Sequence, residues 1–309
     1  MRVAAIDIGT NSTRLLVADV VAGEIAPVRR ESQVTGLGRG VEISGRLSTE
    51  ALEGVFAAIG DYLAIIRELE AAGTFAFATS AARDASNSGA FLAELRERFA
   101  LDATILDGER EAMLTYLGAR DGCRHGATMV IDIGGGSTEI VVGSGAEPSF
   151  HTSLQLGVVR HTERHLHTDP PQTNELESLA EDVGEAIAAE LAARPGIGAG
   201  CGIAVAGTPA ILAAMDLGLE RVEPDRIEGH VLELAAVQRL CSRIASLPLA
   251  ERRELRGMDP DRAPTIVAGV IILIKAMRAF ALQRITVSQR DILYGAVLRA
   301  AERRAAAAG

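Results

Sequence analysis

The sequence predicts an α/β protein built from two related domains. A strand–turn–strand pattern starts its turn at Asp7 and again at Asp132, and alternating helices and strands follow each copy. The chain has 309 residues, of which 48% are hydrophobic, so two domains can each bury a core.

The first copy begins with an apolar run over residues 3–6, turns over residues 7–12 and resumes an apolar run over residues 15–18. The second copy has apolar runs over residues 129–131 and 140–142, separated by a turn over residues 132–137. Each copy therefore predicts two strands joined by a tight turn. Their repetition predicts two domains of related structure.

Each half then contains a strand that ends in a small polar turn and opens a helix. These strands are predicted at residues 75–77 and 203–205, and Pro209 is expected as the first residue of the second helix. Helical periodicity and capping residues predict further helices at Thr49–Ala72 with Ser48 as N-cap, Glu109–Gly118, Asn174–Ala193 with Thr173 as N-cap, Val231–Ser246, Arg262–Leu282 and Arg290–Ala308. Linkers are expected at residues 121–126, which mark the domain boundary, and at residues 195–202.

The composition argues against several classes of protein. A charge at Asp7 leaves no room for a signal peptide, and the apolar run over residues 263–274 is too short to cross a membrane, so it is expected to be a buried helix. Cys123, Cys201 and Cys241 fit neither a disulfide framework nor a zinc knuckle, which favours a reducing cytoplasm.

The net charge and the single lysine limit the ligands and the phosphate-binding motifs that this protein can use. A net charge of −10 opposes long-range attraction of nucleic acid, so a phosphate ligand must be held by local contacts. The single lysine, Lys275, does not follow a glycine-rich turn, which excludes a Gly-Lys-Ser/Thr phosphate loop.

The glycine-rich turns supply backbone N–H donors of the kind that phosphate transfer needs. Gly9, Gly134, Gly135, Gly136 and Gly207 qualify, and close backbone approach and positive φ are the reasons for glycine there. Asp7 and Asp132 open the two hairpin turns, where an aspartate either satisfies its own loop or binds a metal. Glu139, just beyond the triple glycine, is expected to join Asp132 around Mg²⁺.

Five sequence blocks together resemble the exopolyphosphatase / guanosine pentaphosphate phosphohydrolase family in order and spacing. They are residues 7–12 (DIGTNS), 78–87 (ATSAARDASN), 107–112 (DGEREA), 131–139 (IDIGGGSTE) and 206–208 (AGT), and the resemblance continues through Arg262-Ala263 and residues 286–288 to Gly295. The resemblance implies two actin-like, ribonuclease-H-like domains with the active site in the cleft between them. Larger members carry additional helical domains after this core, and the sequence up to Gly309 resembles the short subgroup. It has Ile292-Leu293-Tyr294-Gly295 where members often have Leu-Arg-Glu-Gly.

The resemblance also implies roles for single residues. Glu111 matches the catalytic glutamate that acts as general base on water, while Asp132 and Glu139 match metal-associated acids. Without the family match, Glu111 would be interpreted as a solvated acid at a helix start, and Glu109 is ranked as a surface or outer acid. The remaining predicted site residues are Asp7 in the metal set and the phosphate-binding residues Asn11, Ser12, Arg83, Ser137 and Thr208.

We therefore predict a phosphohydrolase with one domain over residues 1–120, completed by a C-terminal helix over 290–309, and another over 121–289. The predicted substrate is inorganic polyphosphate or a polyphosphorylated nucleotide, with Mg²⁺, or alternatively Mn²⁺, as cofactor; no nucleic acid or membrane is expected, and a homodimer stays open. Guanosine pentaphosphate is the alternative substrate, and an actin-like nucleotide switch or a sugar kinase is the alternative class. His161, His165 and His167 invite a zinc interpretation, but Thr162 replaces the glutamate of the metalloprotease pattern, which favours a surface cluster.

Overall fold

Two units make up the chain, Met1–Gly118 with Ile292–Gly309 and Ala119–Asp291. The computed structural model describes residues 1–119, 127–145 and 148–308. The domain boundaries predicted from the sequence follow residue 120 and precede residue 290. The linker predicted over residues 121–126 lies outside the described residues.

The first unit contains a five-stranded mixed sheet in the order β3-β2-β1-β4-β5. Its first three strands form an antiparallel meander, and β4 and β5 then add in parallel to β1. The strands are β1 (Arg2–Ile8), β2 (Ser12–Val21), β3 (Glu24–Val34), β4 (Thr74–Ala78) and β5 (Ala103–Ile105).

The second unit repeats this arrangement in a six-stranded sheet of order β10-β11-β9-β6-β7-β8. The meander β6-β7-β8 corresponds to β1-β2-β3, and β9 and β11 follow in parallel as β4 and β5 do. This repetition confirms the predicted α/β fold with two related sheets. The strands are β6 (Thr128–Ile133), β7 (Thr138–Gly143), β8 (Pro148–Leu154), β9 (Cys201–Val205), β10 (Val231–Glu233) and β11 (Arg284–Val287).

Helices cover the sheets and bury their apolar faces against them. In the first unit, α2 packs on one face and α13 on the other, next to β1 and β2. In the second unit, α12 lies in the core, with 11 of its residues buried, as expected for the apolar run. The helices are α1 (Val41–Ser44), α2 (Thr49–Glu68), α3 (Ser80–Asp84), α4 (Ser88–Phe99), α5 (Gly108–Ala119), α6 (Val158–His165), α7 (Thr173–Ala192), α8 (Gly207–Asp216), α9 (Pro224–Ile227), α10 (Leu234–Ala245), α11 (Leu249–Arg253), α12 (Ile266–Ala279) and α13 (Ile292–Ala308).

Several predicted boundaries are wrong. Val231–Glu233 is a strand, because it pairs antiparallel with β11 before α10 begins. Helix α7 begins at Thr173, and the carboxylate of Glu175 accepts a hydrogen bond from the backbone N–H of Gln172 at 2.8 Å, so Gln172 is the N-cap. Helix α8 begins two residues before Pro209. The predicted Ser48 cap is confirmed, since its side chain accepts from the Ala51 N–H at 3.2 Å.

Cys201 is disulfide-bonded, whereas Cys241 is free. The expectation that the cysteines form no disulfide is therefore wrong for Cys201. Along the described parts of the chain, no helix combines the length and apolar character needed to span a membrane.

Candidate active site

The predicted residues of the first unit gather at one edge of its sheet. Strands β1, β4 and β5 are parallel, so the turns after them leave the sheet at the same edge. The turns contact one another: Thr79 donates its N–H to the Ile8 carbonyl at 3.3 Å, and Ala81 donates its N–H to the Thr10 hydroxyl at 3.1 Å. Ligands of α/β sheets bind outside this carboxyl edge.

The turn after β1 is closed by a hydrogen bond from the Gly9 N–H to the Ser12 carbonyl at 3.0 Å. A Cβ at Gly9 would lie 2.9 Å from that carbonyl oxygen, which explains the need for glycine. The side chain of Asn11 is buried, and its Nδ2 has no hydrogen-bond partner among the described residues. Leaving a buried donor unsatisfied costs about 1–3 kcal/mol, so this amide is suited to an acceptor that is not part of the protein.

Arg83, on α3, reaches across the same edge to the segment after β5. Its Nη1 donates to the carboxylate of Glu111 at 3.0 Å and to the Leu106 carbonyl at 2.7 Å. Glu111 is only 8% exposed, whereas Glu109 in the same helical turn is exposed. The Nη2 of Arg83 is also buried without a hydrogen-bond partner in the described structure. The arginine therefore positions the glutamate and keeps a second donor for a ligand.

The turn after β6 repeats the geometry of the turn after β1. The Gly134 N–H donates to the Ser137 carbonyl at 3.0 Å, and a Cβ at Gly134 would lie 3.0 Å from that oxygen. Gly9, Gly134, Gly135, Gly136 and Gly207 are all absent from the glycines with positive φ, so the predicted φ argument is wrong for them. Close approach is the reason for glycine in both turns.

Helix α6 begins directly on the triple-glycine turn. The N–H groups of Val158 and Val159 donate to the carbonyls of Gly134 and Gly135 at 3.0 and 2.9 Å. A Cβ at Gly157 would lie 2.2 Å from the Gly135 oxygen, so no other residue fits at this contact without movement. The triple-glycine turn and the first residues of α6 are therefore packed tightly against each other.

The two hairpins differ in the residue opposite the turn aspartate. In the first unit, Asp7 pairs in register with Arg14, whose Nε donates to the Asp7 carboxylate at 2.9 Å. In the second unit, Asp132 pairs in register with Glu139, and both are buried, at 7% and 1% exposure. Glu139 also accepts from the Ser153 hydroxyl at 2.7 Å. Like charges directly opposite each other are destabilising, which makes the Asp132–Glu139 pair suited to a bound cation.

A second loop of the second unit lies at the start of α8. Thr208 is buried, and a Cβ at Gly269 of α12 would lie 2.2 Å from its hydroxyl oxygen. A Cβ at Gly207 would lie 1.9 Å from the guanidinium of Arg262, so this arginine lies against the glycine. Because β6 and β9 are parallel, this loop and the triple-glycine turn leave the sheet at the same edge.

Sequence reasoning missed three arginines beside these turns. Arg14 is fixed by strand register, Arg262 by contact with Gly207, and Arg160 by donation from its Nε to the Gly136 carbonyl at 2.9 Å. A lone arginine in a strand or helix gives no local signal, although Arg262 lies in a block that resembles the family. Each unit thus brings its predicted residues to one sheet edge, and the predicted location of the active site between the domains stays a prediction.

The histidines of α6 are not a surface cluster, as the sequence had favoured. His161 is fully buried, and burial lowers its pKa to about 4, so it is neutral at pH 7. His165 is partly buried and His167 is exposed. Asp182 of α7 lies beside His161 and His165, a contact that local sequence spacing did not predict.

Known proteins match this chain over nearly its whole length. The model of the Ppx/GppA phosphatase family matches residues 16–303. The protein named exopolyphosphatase 2 of Mycobacterium tuberculosis is 35% identical, with 96% of this chain and 98% of the relative covered. Exopolyphosphatase 1 of the same organism is 30% identical, with coverages of 97% and 88%.

Solved structures agree with the fold. A crystal structure described as an exopolyphosphatase-like protein superposes with a TM-score of 0.92 at 29% identity and covers 98% of both chains. A Ppx/GppA family member of Aquifex aeolicus gives a TM-score of 0.82 at 27% identity, also with 98% of both chains covered. These matches support the predicted actin-like pair of α/β domains, and the chain belongs to the Ppx/GppA phosphatase family.

Proposed function

We propose that this protein is an exopolyphosphatase, which hydrolyses the terminal phosphoanhydride of inorganic polyphosphate and releases orthophosphate. The observation that carries the proposal is a pair of buried donors at the sheet edge of the first unit, Asn11 Nδ2 and Arg83 Nη2, for which the described residues provide no hydrogen-bond partner. Phosphate oxygens are the acceptors that such donors suit. The mycobacterial relatives named exopolyphosphatase support the same substrate class.

Glu111 is the proposed general base. Its carboxylate accepts a proton from water while the water oxygen attacks the terminal phosphorus, and the bond from that phosphorus to the bridging oxygen breaks. The products are orthophosphate and a chain shorter by one phosphate. Arg83 holds the Glu111 carboxylate at 3.0 Å, so it both orients the base and presents a charge to the phosphate.

The phosphate chain is held, in this proposal, by backbone N–H groups and polar side chains of the turns. Gly9 and Ser12 belong to the turn of the first unit, together with Asn11. In the second unit the phosphate-binding residues are Gly134, Gly135, Gly136, Ser137, Gly207 and Thr208.

Mg²⁺ fits the carboxylates of Asp132 and Glu139, because both are oxygen ligands, buried and opposite each other in register. Bound there, Mg²⁺ or Mn²⁺ would neutralise negative charge on the phosphate oxygens. Asp7 is already engaged by Arg14, so its predicted metal role is the weaker of the three.

Guanosine pentaphosphate presents an equivalent terminal anhydride, but the named relatives favour polyphosphate. A nucleotide switch or a sugar kinase would act only with a nucleotide. Release of orthophosphate from pure polyphosphate in the absence of nucleotide tests the proposal. No release from polyphosphate, with release from guanosine pentaphosphate, would refute it.

The cytoplasmic location and a homodimer stay predictions. The disulfide at Cys201 counts against the cysteine argument for a reducing compartment, because stable disulfides are rare there. Fractionation of the cells that express the protein, and sedimentation of the purified chain, measure these two properties directly.

A further inference from the structure

Two histidines and an aspartate on neighbouring helices of the second unit come together away from the phosphate turns. His161 and His165 lie one turn apart on α6, and Asp182 lies on α7. One potential ligand atom from each lies within 4.8 Å of the other two. We propose that His161, His165 and Asp182 form a binding site for a divalent transition metal of the Zn²⁺ type.

The distances fit such an ion. The Nε2 atoms of His161 and His165 lie 3.5 and 2.9 Å from the Asp182 Oδ2. Ligand atoms at about 2.1 Å from a tetrahedral Zn²⁺ lie about 3.4 Å apart. The distance from Asp182 to His161 already fits, the distance from Asp182 to His165 must lengthen by about half an ångström, and the ligand atoms of the two histidines lie within 4.8 Å of each other.

The ring of His165 presents the correct nitrogen to the cluster. Its Nδ1 lies 3.1 Å from the Ser178 hydroxyl, and donation from Nδ1 to this oxygen leaves the lone pair of Nε2 for a metal, which is the arrangement common to metal-binding histidines. His161 Nδ1 lies 3.2 Å from the Gly157 carbonyl and 3.3 Å from the Gly157 N–H, which can donate to it, so a metal at Nε2 requires the tautomer in which Nδ1 donates to the carbonyl.

An independent observation comes from His161, whose side chain is fully buried. Its Nε2 faces Asp182 but has no hydrogen-bond partner among the described residues. Such a buried, unsatisfied nitrogen is destabilising unless something coordinates it, and a metal ion at the cluster would do so.

One cation already lies near the cluster. Arg164 Nη1 is 3.3 Å from Asp182 Oδ2, but its side chain is 41% exposed and can turn towards solvent. The site supplies three protein ligands, so a tetrahedral ion would keep a fourth position for water. The ion would join α6 to α7. The N-terminal end of α6 contacts the triple-glycine turn through backbone hydrogen bonds.

The test uses the full chain, stripped with chelator and kept in excess Mg²⁺ so that the acidic pair is occupied. Zn²⁺ affinity is measured by competition with a chromophoric chelator, and Co²⁺ provides a ligand-field spectrum. We expect one tight equivalent, a higher thermal midpoint with Zn²⁺, and at least about 100-fold weaker binding in His165→Ala and Asp182→Asn. Ser178→Ala, which removes only an outer contact, should weaken binding about 10- to 100-fold.

His230→Ala is the matched control, because His230 pairs with Asp216 at 2.9 Å outside any three-ligand group of the described residues. It should bind Zn²⁺ like the unaltered protein, and so should Asp132→Asn. Folding of every variant is checked by circular dichroism. No tight equivalent in the unaltered protein, or equal affinity in His165→Ala and His230→Ala, would overturn the proposal, as would loss of the tight equivalent in Asp132→Asn.

Discussion

Glu111→Gln is the sharpest test of the proposed chemistry, because it keeps the shape of the side chain and removes the base. General-base catalysis contributes about 10²–10⁴ in rate, which corresponds to about 2.7–5.4 kcal/mol of transition-state stabilisation. The substitution also removes the charge that Arg83 contacts at 3.0 Å. Hydrogen bonds to charged groups contribute about 1.5–3 kcal/mol, so the free energy of unfolding should fall by no more than this amount.

The assay is orthophosphate release from polyphosphate without nucleotide, with polyphosphate binding measured separately by calorimetry. We expect kcat to fall by at least about 10²-fold while polyphosphate still binds, because the glycine turns are unaltered. Glu109→Gln is the control: it removes the same charge from the same turn of α5, but Glu109 is exposed. Near-normal turnover in Glu111→Gln, or equal losses in both variants, would show that the base lies elsewhere.

Three further perturbations test other parts of the site. Arg83→Lys keeps the charge but loses the planar pair of donors, so KM for polyphosphate should rise in steady-state assays; an unchanged KM and kcat would remove this arginine from the site. Gly157→Ala places a Cβ 2.2 Å from the Gly135 oxygen and should lower kcat/KM and the thermal midpoint, whereas Gly198→Ala, with nothing within 4 Å, should change neither. Asp132→Asn should raise the Mg²⁺ concentration needed for half-maximal activity, and an unchanged metal titration would contradict the assigned ligand.

Local sequence patterns predict the two hairpins and the strand at the second turn of each half, but they do not predict β3, β5, β8, β10 or β11. The two hairpin turns could be identified because each places small polar residues between apolar runs, and the structure closes both with the same hydrogen bond. The helix predicted over residues 231–233 is wrong, because three residues cannot distinguish a strand from the start of a helix, and only the pairing with β11 decides between them. Glycine was correctly singled out at Gly9 and Gly134, but close approach, and not positive φ, is the reason.

The missed site residues depend on contacts between distant segments. Arg14 faces Asp7 through strand register, and Asp182 reaches His161 because α6 and α7 pack together. Neither contact leaves a pattern in the neighbouring sequence. The role of Glu111 came from resemblance to the family, since a glutamate in the first turn of a helix is by itself ordinary.

The two hairpins share a backbone structure but differ in charge at one register position. At the same register position, Arg14 neutralises Asp7, whereas Glu139 adds a second negative charge beside Asp132.

Asp7→Asn should therefore lower the free energy of unfolding of the metal-free protein by about 1.5–3 kcal/mol, because it removes a charge-assisted contact. Asp132→Asn relieves repulsion between like charges, so the metal-free protein should lose less than half as much stability, while its stabilisation by added Mg²⁺ shrinks. Denaturant unfolding with and without Mg²⁺ measures both quantities. Equal losses in the two metal-free variants would mean that the Asp132–Glu139 pair is a structural contact and not a cation site.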